Sequence, residues 1–320
     1  MSHQVEQMAY RGEEPWHGLG NRLDPDQPIE VWTRQAGMDW DIEEADVAFI
    51  TGADNEPGEL RDFPQHKVLY RSDNREPLSV VSQRYKVVQP RQILEFYRDL
   101  TEVSDFELET AGVLLGGRKL WALARTGQQG LLAGKDWTMG YVLLATACDG
   151  SMATTAQFTS VRVVCNNTLA VATEGPTPGA VKVPHNTVFD AQTVKRKLGI
   201  SVSAWDEFMY RLRHLAERKV STREAQEYFL RVFTDPEKDP EGKTNQRAMA
   251  RAQQLYEGAG RGAALASSRG TAFGLVNAVT EFVDHERRAR TTDYRLDSAW
   301  FGQGASLKQR ALEEAARMAA

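Results

Sequence analysis

"FELETAGVLLGGRKLWALAR", residues 106–125, reads as two strands joined at Gly116-Gly117. Adjacent glycines supply the positive φ angles of a tight hairpin turn, and the flanks are rich in Leu, Val and Trp. Working outward, residues 127–136 read as a loop and "WTMGYVLLATAC" (137–148) as a third strand. Asp149-Gly150 marks a second hairpin turn, and "MATTAQFTSVRVVC" (152–165) a fourth strand. Consecutive antiparallel strands make a meander, with one face free to pack on helices. "NNTLAVAT" (166–173) is expected to start a short helix or turn, with Asn and Thr as caps.

Upstream, "RYKVVQPRQILEFYRDL" (84–100) reads as a strand feeding a helix, with Pro90 in the first turn and Ile93, Leu94, Tyr97 and Leu100 at helical spacing. Val47–Thr51, Lys67–Arg71 and Leu78–Val81 have strand character, and residues 51–66 read as a surface loop. The first 45 residues read as an ordered arm, because Trp16, Leu19, Trp32 and Trp40 carry too much apolar surface to stay loose. Within it, residues 28–37 predict a short helix between Pro28 and Gly37. From about residue 186 the period changes. Helices are predicted over 187–219, 221–233, 243–258, 270–289 and 305–319, the second opened by the capping box Ser221-x-x-Glu224. Residues 259–270 form a small-residue loop or hinge. The expectation is an α+β fold with a central antiparallel β-meander packed with helices and a helical C-terminal half. The segments are an arm (1–45), a strand-rich core (46–185) and a helical half (186–320), integrated in one domain.

Composition is that of a globular chain, 41% hydrophobic and 26% charged. No apolar run is long enough for a membrane span and no signal peptide is legible, so a cytoplasmic protein without a membrane partner is expected. Two cysteines, Cys148 and Cys165, make no disulfide framework and no zinc pattern, and packing thiols are the expectation. Residues 1–181 carry 16 Lys and Arg against 26 Asp and Glu, a net of -10. Residues 182–320 carry 23 against 18, a net of +5. Such asymmetry suits a polyanion partner, attraction between the halves, or a helical half with many solvated faces.

Catalytic signatures are sparse. Glu281, His285 and Arg288 lie at i, i+4 and i+7 with Asp284 alongside, a polar stripe opposite Phe273, Val276, Val279 and Val283. The stripe fits a salt-bridged surface, a partner contact or a metal site. Basic residues are the other lead. Arg118, Lys119 and Arg125 follow the first hairpin, and Arg162 interrupts a Thr/Val strand, where it needs a buried partner or a phosphate. Lys182 and Lys195–Lys197 form one cluster and Arg287, Arg288 and Arg290 another, with Trp121, Tyr141 and Phe158 as stacking candidates.

In order, "MAYRGEEPWHGLG" (8–20), "RYKVVQP" (84–90), "TAGVLLGGRKLWALA" (110–124), "DGSMATTAQFTSVRVVCNNTL" (149–169), "GTAFGLVNAVTEFVDHERRAR" (270–290) and "SAWFGQGASLKQRAL" (298–312) resemble the phage- and plasmid-encoded proteins catalogued as domain of unknown function 932. The resemblance runs from about residue 8 to 315 and implies a role in mobile-element biology. A second, fold-level resemblance is to single-strand annealing recombinases. It implies an oligomer holding single-stranded DNA, with Arg118, Lys119, Arg162, Lys195, Arg196 and Lys197 as groove candidates. This chain departs from a generally basic DNA binder, so binding would rest on a local patch. The leading expectation is therefore a non-enzymatic, homo-oligomeric protein that binds single-stranded DNA in recombination or replication, with no cofactor or metal. The alternative is a module that binds a host protein or modulates a defence system. A metal-assisted nuclease built on Asp149, Glu281, Asp284 and His285 is the third reading.

Overall fold

The computed structural model describes residues 5–12, 20–52, 58–103, 106–164, 167–170, 180–198, 202–234 and 245–320. It is an α+β structure with a large, mainly antiparallel sheet and a helical C-terminal region. The strands of that sheet are β1 (Val5–Arg11), β2 (Asn21–Leu23), β6 (Glu107–Leu114), β7 (Lys119–Leu132), β8 (Asp136–Ala147), β9 (Thr154–Arg162), β10 (Asn167–Ala170) and β11 (Ala180–Val183). Their order is β10-β9-β8-β7-β6-β1-β2, with β11 also pairing β9. The β6-to-β9 meander is the one legible in the sequence. A separate sheet has the order β3 (Ile42–Thr51), β4 (Glu59–Arg71), β5 (Pro77–Ser82).

The chain divides into two compact units, which interleave along the sequence. The first takes residues 1–125, 142–157 and 180–198, and the second 126–141, 158–179 and 199–320. In the first unit, α2 (Pro90–Val103) lies on the sheet through Ile93, Leu94, Phe96 and Tyr97, all buried. Fully apolar burial would leave the Tyr97 hydroxyl unsatisfied. It donates to the carbonyls of Ala122 (2.8 Å) and Val142 (3.0 Å), locking the helix to two strands. β1 packs so closely on β6 that a Cβ at Gly112 would come within 2.8 Å of the Met8 Cβ. The short helix α1 (Ile29–Gln35) follows Pro28 and ends before Gly37 at φ +72°, as its sequence predicts. Trp32 and Trp40 are buried, whereas Trp16 and Leu19 lie outside the described residues.

The second unit holds helices α4 (Val202–Glu217), α5 (Thr222–Phe233), α6 (Gln246–Gln254), α7 (Ala272–Glu281), α8 (Thr292–Phe301) and α9 (Gln303–Ala319), of which α4, α6 and α9 pack against α7. All ten residues of α7 are buried. Its composition, AFGLVNAVTE, explains this: small and apolar side chains on every side let neighbours approach all round. The closest approach is at Gly274, where a Cβ would stand 2.0 Å from the Ser268 carbonyl oxygen. Thr271 caps the helix by accepting from the Gly274 amide at 3.1 Å. The Ser221–Glu224 capping box of α5 is formed, with both reciprocal bonds.

Several local expectations are corrected. Residues 127–136 are not a loop: β7 continues to Leu132 and the turn occupies only 133–135. Within residues 51–66, Thr51 ends β3 and residues 59–66 belong to β4, which pairs with it, and residues 53–57 lie outside the described residues. Residues 84–89 form no strand, while Asn167–Ala170 form β10 instead of a helix start. Within the span 187–219, residues 191–198 form α3 (Ala191–Leu198) and residues 202–217 form α4, and residues 199–201 lie outside the described residues. The span 270–289 ends earlier, passing at Phe282–Glu286 into a π-helical turn, and a second π-helical turn follows α6 at Leu255–Ala259. α8 was not legible at all, because its residues 292–301 mix charges and aromatics without a clean period.

Candidate functional site

Two constellations bear on function, one in each unit. The buried one, in the second unit, centres on Arg162. Its Nε donates to Asp136 Oδ1 at 2.8 Å and its Nη2 to Asp136 Oδ2 at 2.6 Å, a bidentate pair with both side chains buried. Nη2 also reaches Ser268 Oγ (2.8 Å), and Ser267 Oγ donates to Asp136 Oδ2 (2.6 Å). The small-residue loop 259–270 is thereby tied down at Ser267 and Ser268. Of the two fates open to Arg162, a buried partner is the one it meets.

The same network takes in the polar residues after β9. Asn167 donates to the Asn277 carbonyl (3.3 Å) and the Thr280 hydroxyl (3.2 Å) and accepts from His285 Nε2 (3.2 Å). Asp284 accepts from the Thr168 amide (2.8 Å) and from Lys308 Nζ (2.7 Å), and Lys308 also reaches Thr168 Oγ1 (2.7 Å). Glu281 accepts the Arg261 amide on both carboxylate oxygens at 3.0 Å, and burial raises its pKa above the usual carboxylate value. Each member of the expected stripe therefore faces a different partner, and Arg288 is exposed beyond the helix end. Among the described residues no group of three or more His, Cys, Asp or Glu side chains is placed to hold a metal ion. Asp149 accepts from the Ser151 amide (2.9 Å) and shapes its turn. Cys148 is buried with its thiol pushed up to about 12, so it is no nucleophile at neutral pH; Cys165 lies outside the described residues.

Among the basic candidates, Lys119 and Arg162 are buried, and so are the proposed stacking rings Trp121, Tyr141 and Phe158. Buried rings cannot receive a base. Arg118 is exposed and bonds its own turn at the Leu115 carbonyl (3.1 Å), and Arg125 pairs with Glu107. Lys195 lies over the Phe96 ring at 5.1 Å, leaving Arg196 and Lys197 exposed in the last turn of α3.

The surface constellation, in the first unit, is carried by residues 84–86 and 180–198. α3 packs beside the edge strand β11, whose Lys182 is exposed. Just past β11, the His185 carbonyl accepts the Lys86 amide at 2.5 Å and the His185 ring stacks on Tyr85 at 4.3 Å. Arg84 and Lys86 on either side of Tyr85 are exposed. Residues 84–86 and His185, which follows β11, thus meet at the Tyr85–His185 stack, with Arg84, Lys86 and Lys182 exposed, while α3, which carries Lys195, Arg196 and Lys197, packs on β11. Arg84, Tyr85, Lys86 and His185 were missed in the sequence; the charged residues flanking a tyrosine in "RYKVVQP" were the available signal.

The family model for Domain of unknown function (DUF932) matches residues 77–300, well over half of the chain. The chain belongs to the DUF932 family. Neither the curated proteins nor the solved structures include a match to it. The matched DUF932 region holds the whole Arg162 network and the 84–86 and 180–198 segments, while Lys308 lies beyond it. The motifs around residues 149–169, 270–290 and 298–312 are joined in this DUF932 protein by Arg162, Asn167, Thr168, Asp284 and Lys308. No helix among the described residues is long and apolar enough to cross a membrane.

Proposed function

We propose that this DUF932 protein binds single-stranded nucleic acid on the surface formed by Arg84, Tyr85, Lys86, Lys182, His185, Lys195, Arg196 and Lys197, as a non-enzymatic component of mobile-element recombination or replication. The observation that carries this reading is the stacking of Tyr85, flanked by the exposed Arg84 and Lys86, on His185 beside β11, the strand that α3 with its basic last turn packs against. Lysine and arginine neutralise phosphates and release counterions, while an aromatic pair offers a face on which a base can stack whatever its sequence. Arg162 and Lys119 drop out of the interface because they are buried, and Arg118 stays as an exposed flank.

The experiment is a fluorescence-anisotropy titration of a labelled single-stranded oligonucleotide, with duplex as comparator. The expected result is binding at low salt that weakens steeply as salt rises. No binding at low ionic strength ends the proposal.

A further inference from the structure

Residues 259–264, AGRGAA, form an arch between a hinge and a foot. Five of the six are Gly or Ala and none is buried. The arch therefore removes little apolar surface from water, and a few polar contacts hold it in place. The foot is firm. Ser267 and Ser268 are buried and bonded to Asp136 and Arg162, and the Leu265 carbonyl accepts the Ser268 and Arg269 amides at 2.9 Å each. The hinge lies at the other end, in the π-helical turn Leu255–Ala259. There Gly258 has a φ of +140° and open space where a Cβ would stand, so only its backbone freedom calls for glycine. Such turns interrupt the regular helical ladder and recur where helices serve function.

Between hinge and foot the arch is latched. Glu281, only 5% exposed, takes the Arg261 amide on both carboxylate oxygens at 3.0 Å. A Cβ on Gly260 would come within 2.9 Å of Glu281 Oε2, so the arch is pressed onto that carboxyl group. The Gly260 amide donates to the Leu255 carbonyl at 3.0 Å, and the Gly262 carbonyl accepts Arg162 Nη2 at a longer 3.4 Å. Beneath the arch is a slot of about 10 Å³, lined by Arg162, Ser268, Gly274, Asn277, Ala278 and Glu281.

We propose that residues 259–264 are a lid, which swings about Gly258 when Arg261 leaves Glu281 and uncovers the slot that holds Arg162, Asn277 and Glu281. Opening breaks the Arg261–Glu281 latch, the Gly260–Leu255 bond and the long Arg162–Gly262 contact. It leaves the Arg162–Asp136 pair, the Ser267–Ser268 foot and the packing of α7 in place. A segment held by so few contacts opens at a free energy well below that of global unfolding. The open slot presents a carboxyl, a carboxamide and a guanidinium group to solvent, and Gly274 and Ala278 add almost no side-chain bulk between them. The lid shares no residue with the proposed nucleic-acid surface and is tested independently of it.

The test is native-state hydrogen exchange on the full-length chain, followed by mass spectrometry at rising sub-denaturing urea. The amides of residues 260–264 are expected to be protected, yet to exchange through an opening that responds weakly to urea, because little surface is exposed. Those of α7 are expected to follow global unfolding. Glu281→Ala should speed exchange of the lid amides by roughly tenfold, the worth of one hydrogen bond. If that variant does not fold, the wild-type urea series decides. Ala278→Cys supplies a second readout: a thiol reagent is expected to label it at the rate of lid opening, with the wild-type chain as control for Cys148 and Cys165. Lid amides that exchange only together with α7 overturn the proposal. So do lid amides that exchange as fast as an unfolded chain, unchanged lid exchange in Glu281→Ala, or a thiol at position 278 that reacts only on global unfolding.

Discussion

Arg162 and Asp136 form a two-bond ion pair whose side chains are only 4% and 1% exposed, 26 residues apart in sequence and joined to the loop after α6 through Ser267 and Ser268. Removing one partner of such a pair strands the other as an uncompensated buried charge. Asp136→Ala is therefore expected to destabilise the protein by about 3–5 kcal/mol in a urea titration. The double variant Asp136→Leu with Arg162→Met should recover much of that loss. A double variant as unstable as the single one would show that the pair's worth lies elsewhere than in mutual neutralisation.

Gly274 reverses a familiar rule. Glycine to alanine inside a helix ordinarily gains about 1 kcal/mol. Here the new methyl would stand 2.0 Å from the Ser268 carbonyl oxygen, which is backbone and cannot swing away. Gly274→Ala is expected to cost roughly 1–3 kcal/mol, as overpacking does, read as a fall in Tm.

Glu281 sets a pH dependence of known sign. Burial raises its folded pKa above the ordinary 4.5, so the folded chain holds a proton the unfolded chain has released. Its contribution to stability is then full below the unfolded pKa and is lost as pH rises through the folded value. Glu281→Gln should flatten stability against pH on the alkaline side of 4.5. A slope there equal to that of the wild-type chain would assign the effect to another group.

Thr138 Oγ1 is buried and has no hydrogen-bond partner among the described residues, beside a cavity of about 20 Å³ that Ser160, Arg162, Asn167 and Asn277 also line. The space fits one water, and the lining offers the partners a buried water needs. A high-resolution crystal structure is expected to show it. Thr138→Val should lose that water with little change in Tm, because the orphaned hydroxyl goes with it.

For the nucleic-acid surface, log K against log salt has a slope of about -0.7 per phosphate neutralised on a single strand. Replacing Lys195, Arg196 and Lys197 by alanine should make the slope shallower by roughly 1.4–2.1, if two or three of them contact phosphate. Replacing Arg162 should not change the slope in molecules that remain folded.

What the sequence alone determined is the part of the structure written in local chemistry. The Gly116-Gly117 turn, the Asp149-Gly150 turn, the Ser221–Glu224 capping box, the Pro28-to-Gly37 helix and the α2 pattern are each decided by residues a few positions apart, because φ angles, caps and periodicity act at that range. Tertiary structure alone decided which polar residues are available. Arg162 could have met a phosphate or a buried partner until Asp136 and Ser268 closed around it, and Trp121, Tyr141 and Phe158 are core, Phe158 against Trp205 of α4 at 5.9 Å. The stripe Glu281, Asp284, His285 dissolved into three separate contacts because α7 is buried all round and passes into a π-helical turn. Arg84 and Lys86 gained meaning only through Tyr85 stacking on a histidine 100 residues later in the chain. The physical reason is that the cost of a charge depends on what surrounds it, and the surroundings come from segments no local pattern connects.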